Sequence, residues 1–341
     1  MAKRGFAGWL GLIAGAIVVL GVLWVSYWYA ANTFAERAIA RLNGAPHDGQ
    51  KIACTDPVLS GFPLRLDFRC AQGTYAGPAD QVTAALGGIA ATAPLYRPGT
   101  VEATLDAPFV VNAPDHGVAL TTSWSAGTAT ASAGFGGLNG AGAAFTTLTA
   151  DNAGTLPDIP VKSLAADAAS ASIAQAGGGA YTILASTRGL KLTRTDDSAL
   201  PAIDADVDLT ALNVGGGLGT NPARRLADWL RAGGSIKVER VRIAAGGAIL
   251  AADGTLNVSK GGVLSGSLVL RFTNLDAFAM LADQIKPGSR KHAAQGIAAI
   301  TALSVPVQTE DGPARQTTVS ITDGLLWVGI IPVGVLPKVK L

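Results

Sequence analysis

The two cysteines of the chain, Cys54 and Cys70, bracket the segment TDPVLSGFPLRLDFR. A redox pair would present Cys-x-x-Cys, and a zinc centre would need further ligands close by. Neither spacing is present, so the chemistry these residues support is a structural disulfide. Closing a loop of that size stabilises a fold by about 3 kcal/mol in the chain-entropy description. The histidines His47, His116 and His292 form no ligand-spaced cluster with one another or with a cysteine, and the nucleophile elbow Gly-x-Ser-x-Gly is absent. Gly215 to Gly219 open toward Pro222 but lack the Gly-Lys-Ser/Thr ending of a phosphate loop and do not match G-x-G-x-x-G, which leaves a flexible helix entry. Asp204, Asp206 and Asp208 alternate with Ile203, Ala205, Val207 and Leu209, so the carboxylates share a strand face at a spacing of about 7 Å. Calcium wants about six to eight oxygens converging from a loop. This row is therefore expected to be a solvated face, as are Arg65, Asp67 and Arg69. Asp196 and Asp197 precede a turn and need only water. The expectation is a protein that is no enzyme and has no catalytic, metal or cofactor site.

Such residues need elements to hold them. Val58 and Leu59 lead into Ser60-Gly61, a turn signal, and Leu64, Leu66 and Phe68 alternate with Arg65, Asp67 and Arg69 in the two-residue period of a half-buried strand. The cysteine pair is thus expected to staple a hairpin. Upstream, no residue between Arg4 and Glu36 is charged, and Trp9 to Tyr29 reads WLGLIAGAIVVLGVLWVSYWY, about the 20 apolar residues that a bilayer core requires. Lys3 and Arg4 precede it, which keeps the N-terminus cytoplasmic. Trp9 belongs to the anchor, and Trp24, Tyr27, Trp28 and Tyr29 fall at its outer end, in the headgroup zone. A cleaved signal peptide would have a shorter apolar region and small residues before the cut, where Tyr29 and Thr33 stand here. The expected organisation is a cytoplasmic tail over 1–8, a transmembrane anchor over 9–31, a linker or helix over 32–48 and a β domain over 49–341. Such a chain crosses a membrane once and places its C-terminal domain on the far, non-cytoplasmic side.

The composition is 49% hydrophobic and 15% charged, against a usual charged share of about 25%. Disorder driven by charge is excluded. A net charge of +2 with no basic run argues against nucleic acid as a partner. With 43 glycines and 6% aromatics, extended sheet with frequent turns is favoured over a compact α/β core. Short β-compatible runs recur at Val101–Leu105, Val118–Trp124, Tyr181–Thr187, Gly189–Thr193 and Ile203–Leu209, the spacing of an antiparallel meander or sandwich. From Gly234 to Asn274, Ile236 and Val238 give way to Val241 and Ile243 across a phase slip at Arg240, which predicts a bulge. Ala252-Asp253-Gly254 predicts a hairpin, Lys260-Gly261-Gly262 a second turn, and the stretch as a whole three or four strands. Asn221-Pro222 opens a helix that ends at Gly233-Gly234, and helices are predicted over Leu275–Ile285 and Arg290–Ala302, packed as caps on the sheet. Ala126 to Gly154, rich in small residues, is either thin edge strand or loop. Pro332 and Pro337 interrupt the apolar C-terminus too often for a second span, so a terminal strand is expected there. The fold class is mainly β: an N-terminal transmembrane helix followed by a large curved antiparallel sheet with a few capping helices.

Three segments carry a resemblance. The Cys54–Cys70 segment with its Gly61-Phe62-Pro63 centre, the Gly254–Phe272 strand run and the closing GIIPVGVLP resemble an uncharacterised alphaproteobacterial envelope family, domain of unknown function 2125. The family has no assigned reaction and so implies no functional residues. More loosely, the Gly-x-Leu-x-Val and Gly-x-Leu-x-Gly-x-Leu-x-Leu patterns of Gly254–Val258 and Gly262–Leu270 are similar to AsmA-like envelope proteins. That resemblance implies an anchored curved sheet that binds or moves phospholipid without catalysis. The alternative is a structural module that recruits other envelope proteins.

Overall fold

The computed structural model describes residues 4–44, 50–78, 81–134, 136–154, 161–214, 222–285, 288–329, 331–336 and 338. Helix α1 (Arg4–Gly44) is unbroken, so after the apolar run the same helix continues to Gly44. It is the one helix among the described residues long and apolar enough to cross a membrane. The 21 strands that follow among the described residues belong to a single antiparallel sheet.

The first strands are halves of longer arms. β1 (Lys51–Thr55) and β2 (Val58–Ser60) lie in line and pair with β4 (Gln72–Ala76) and β3 (Arg65–Cys70) respectively. The register runs through, with Thr55 opposite Gln72 and Val58 opposite Arg69, so 51–76 is one long hairpin. Cys54 and Cys70 stand at disulfide distance across its middle, with Cα atoms 5.7 Å apart. β5 (Thr83–Leu86) and β6 (Ile89–Pro94) make the next arm, then β7 (Thr100–Leu105) and β8 (Phe109–Ala113), then β9 (Val118–Ser123) and β10 (Ala126–Gly134). From β11 (Gly137–Asn152) each arm is a single strand: β12 (Val161–Gln175), β13 (Tyr181–Arg194), β14 (Ile203–Leu212), β15 (Ser235–Ala245), β16 (Ala248–Val258) and β17 (Leu264–Thr273). β18 (Val305–Thr309) and β20 (Leu325–Val328) flank the two halves of β19 (Gly312–Thr322), and β21 (Ile331–Val335) pairs with β20. Each arm bonds to the arm before and the arm after it in the chain, β17 to β19 included. No pairing joins the first arm to the last among the described residues, so the meander stays open. Pro306 and Pro332 stand in the outlying strands β18 and β21, where the missing N–H is tolerated.

Interruptions from the first arm to β13 fall on one transverse line. Asp56 and Thr147 each have φ 49°, and Gly189 has φ 61°. Gly87-Gly88 meets Asp106–Pro108 through Gly87 N–H to Pro108 O at 2.9 Å and Asp106 N–H to Gly88 O at 2.8 Å. The Trp124 indole, at the next break, donates to Leu105 O at 2.8 Å. The Gly189 N–H donates to the Asp204 carboxylate at 2.7 Å. Irregularities of this kind bend strands and raise their twist, so aligned ones crease the sheet. Tyr181–Thr187 and Gly189–Thr193 are thereby one bulged strand, β13.

α2 (Pro222–Gly233) links β14 to β15, and α3 (Leu275–Ile285) and α4 (Arg290–Ala302) lie between β17 and β18. The bulge expected at Arg240 is present, with two residues skipped between Val238 and Val241 opposite β16. Three strands, not four, fill Gly234–Asn274. The hairpin expected at Asp253-Gly254 is absent, because both residues lie inside β16. Gly254 has φ +149° and a Cβ there would overlap Ser267 O, so this glycine serves a close approach of two strands; the chain turns instead at Gly246-Gly247. Ala126–Gly154 is neither edge nor loop but the paired interior arms β10 and β11. Accessible surface totals 20544 Å², where a compact monomer of 34.3 kDa exposes about 13,000 Å². Most of the sheet is one layer thick.

Candidate functional site

Side chains alternate along a strand, and cross-strand partners share a face. Following partners across the arms therefore traces a face of the whole sheet. One row reads Leu59, Phe68, Ala91, Ala103, Ala129, Ala143, Ala171, Ala185, Val207, Val241, Ala252, Leu270. A second reads Val101, Ala131, Ala141, Ile173, Ile183, Leu209, Val238, Gly254, Leu268, Val319, Val328. One residue over, on the other face, the row is Asp67, Thr92, Glu102, Thr130, Gly142, Ser172, Leu184, Asp208, Arg240. One face is thus apolar from the first hairpin to the last arms, and the other is polar.

Among the described residues no second sheet covers the apolar face. Leu268, Leu270 and Phe272 are half-buried, where a sandwich would bury them fully, and Tyr181 is the single large side chain below 2% exposure among the described residues. The helices sit at the ends of this face. Trp229 of α2 packs on Tyr181 and Ala211 and donates its indole N–H to Leu212 O at 2.7 Å. Phe278 of α3 meets Phe272 edge-on, with centroids 5.7 Å apart. At the exit of α4, Leu303 O accepts from the Thr317 hydroxyl at 3.3 Å. β10 and β11 carry alanine in both rows and the first row is alanine from β6 to β13, whereas the flanking arms carry Phe, Val and Leu, so the apolar surface dips toward its centre.

The anchor residues and the Gly61-Phe62-Pro63 motif come together. The Trp24 indole donates to Pro63 O at 2.9 Å and that of Trp28 to Arg65 O at 3.3 Å. The Trp28 ring meets Phe62 edge-on at 5.1 Å. Gly61 has φ +106° and a Cβ there would stand 2.8 Å from Arg65 O, which explains a glycine at the tight turn. Trp24 and Trp28 thus clasp helix to sheet, and Tyr29 is 66% exposed. Trp9 lies within α1.

The polar face carries ion pairs. Arg65 pairs with Asp67 at 2.8 Å. Of the acidic row, Asp206 pairs with Arg188 at 2.6 Å and Asp204 caps the Gly189 bulge, so two of these carboxylates have protein partners where water alone was expected. Asp196 holds Ser198, and Asp197 pairs with Lys162 at 2.6 Å. No cluster among the described residues could hold a metal ion; His47 and Gly215–Gly219 lie outside them. A recess of about 710 Å³ is lined by Arg240, Arg242, Asp253, Arg271 and Asp311. Arg242 binds Asp311 at 2.6 Å, and Arg271 binds Asp253 and Gln316. Asp311 lies in the β18–β19 turn, three inter-strand steps from β15, about 14 Å in a flat sheet. The hairpin therefore leans over the polar face.

Hydrogen bonding from Arg242, reinforced by its charge, holds the Asp311 carboxyl below its usual 3.8. A carboxyl depressed in the fold stabilises it above the unfolded value, and that contribution disappears as pH falls through the folded one. The protection of amides Val305–Gln316, taken relative to the intrinsic exchange rate at each pH, should therefore fall in acid below the ordinary aspartate range and stay constant between pH values above it. Asp311→Asn should give fast exchange at every pH; hydrogen-exchange mass spectrometry checks both.

An open, single-layer sheet with one apolar and one polar face, preceded by a helix long and apolar enough to cross a membrane, is the class of protein these features define. The chain belongs to the family described as an uncharacterized protein conserved in bacteria (DUF2125), which it matches over residues 27–337. That span includes Trp28, the turn it clasps and nearly the whole sheet. No curated protein and no solved structure matches the chain.

Sequence reasoning found the hairpin, the helix and individual alternating strands. It missed the continuity of the apolar face, whose signal is the common phase of alternation in successive runs. It also missed the clasp, for which spacing along the chain gives no signal.

Proposed function

We propose that this protein is an inner-membrane-anchored periplasmic component of the cell envelope whose apolar sheet face holds the acyl chains of phospholipid, without catalysis. The observation that carries the reading is the unbroken apolar row from Leu59 to Leu270 on a sheet one layer thick. Leaving such area in water is costly at about 25 cal/mol per Å², and large exposed apolar patches mark binding surfaces. The central alanines leave room for a chain to lie across the arms. Lys3 and Arg4 support a cytoplasmic N-terminus, and a disulfide suits an oxidising compartment. The AsmA-like pattern points the same way by analogy.

Neighbouring residues on opposite faces provide the test. A photo-crosslinking amino acid at Ile183, on the apolar face, should yield phospholipid adducts in cells by mass spectrometry, and the same group at Leu184 should not. Discrete protein adducts at Ile183 would favour an assembly module instead, and an absence of lipid there would sink the proposal. A charge in the centre of the face, as in Ala143→Asp, would desolvate a carboxylate against an acyl chain and should lower lipid adducts roughly tenfold.

A further inference from the structure

The register gives the sheet two ends, and α1 leaves at one of them. At that end lie the turn Gly61–Leu64 and the loop 95–99, tied together by Leu95 N–H to Leu64 O at 3.0 Å. From Trp24 to Trp28 the helix advances one turn while its hydrogen-bond partners advance from Pro63 to Arg65. Helix and β3 therefore run the same way, and the residues before Trp24 project beyond the sheet. Trp24 lies five residues before Tyr29, the end of the apolar run, which is about 7.5 Å back toward the bilayer centre. A turn bonded to Trp24 cannot stand clear of the membrane surface. The side chains there suit such a place: Phe62 and Leu64 are each 57% exposed and Tyr96 is 65% exposed.

We propose that this end of the sheet is a second membrane contact, in which Phe62, Leu64 and Tyr96 enter the interfacial zone of the bilayer that α1 crosses. The inference rests on α1 spanning that bilayer. Burying each of these side chains is favourable by roughly 1.5–3 kcal/mol if fully removed from water, and an aromatic ring with a hydroxyl suits the headgroup level. The apolar face begins beside these turns, at Leu66 and Ala93, which pair with each other. Lipid at the rim would therefore meet the apolar face without crossing water.

Single bimane-labelled cysteines in the full-length protein, reconstituted into phosphatidylcholine vesicles containing lipid with a nitroxide near the headgroup or in mid-chain, test this. The native cysteines are paired at disulfide distance, and labels are placed by Phe62→Cys, Leu64→Cys and Tyr96→Cys. Val18→Cys reports the span, and Thr195→Cys, after β13 at the opposite end, reports solvent. The three rim labels should be quenched by the shallow nitroxide several-fold more than Thr195→Cys, and Val18→Cys by the deep one. Rim labels no more quenched than Thr195→Cys, with Val18→Cys quenched, would overturn the contact and leave the anchor standing. An unquenched Val18→Cys would overturn both. Rim labels shielded from lipid but crosslinking to a second copy would replace the bilayer by a protein interface.

Discussion

Gly254→Val should destabilise the protein by about 3 kcal/mol or more, seen as a lowered urea midpoint of the full-length protein in detergent. Gly254 and Gly266 have φ of +149° and +143°, on adjacent strands of the sheet. A Cβ on Gly254 would overlap Ser267 O, and one on Gly266 would overlap Thr255 O. Backbone atoms stand in the way, so no rotamer change relieves the clash. Gly178 also has a positive φ, +59°, but nothing lies within 4 Å of a Cβ built there. Gly178→Val should therefore lose only the conformational term, about 1–2 kcal/mol. Equal losses at the two sites would show that close strand approach is not what requires Gly254.

The second large effect belongs to the cysteines. Replacing both, as Cys54→Ala with Cys70→Ala, should cost about 3 kcal/mol, the chain-entropy value for closing a loop of sequence separation 16. Dithiothreitol should lower the stability of the native protein by the same amount and leave that of the double variant unchanged. The two cysteines lie where β1 gives way to β2 and β3 gives way to β4, beside the Asp56-Pro57 break in the ladder. The crosslink thus stands beside the point at which the strand pairing is interrupted and Ala71 N–H to Thr55 O, at 3.0 Å, carries the arms across. A double variant as stable as the native protein would show that the flanking register alone holds the hairpin.

Much of this fold was legible because each arm carries its own alternation. Leu66 and Phe68 against Arg65 and Asp67, or Ile203 to Leu209 against the aspartates, identify strands and their apolar faces from types and spacing. The slip at Arg240 marks its bulge for the same reason. Gly254 misled because a glycine after Asp signals a hairpin locally, while the reason for it lies across the sheet at Ser267. Ala126–Gly154 stayed ambiguous because alanine and glycine have weak preferences, and only pairing with β7 and β12 decides their state. The clasp of Trp24 and Trp28 on Pro63 and Arg65 joins residues 39 and 37 positions apart. Periodicity sees nothing at that range.

The order of the arms has a consequence for how the chain is made. Synthesis delivers residues from the N-terminus, and each arm finds its partner in the arm just completed, beginning with the hairpin 51–76. Loop closure between neighbours is entropically cheap, and topologies rich in local contacts form quickly. A nascent chain can therefore extend the sheet one arm at a time, burying each new hydrogen-bonding edge as the next arm emerges. The longest pause falls before β19, whose pairing with β17 waits for α3, α4 and β18 to be made.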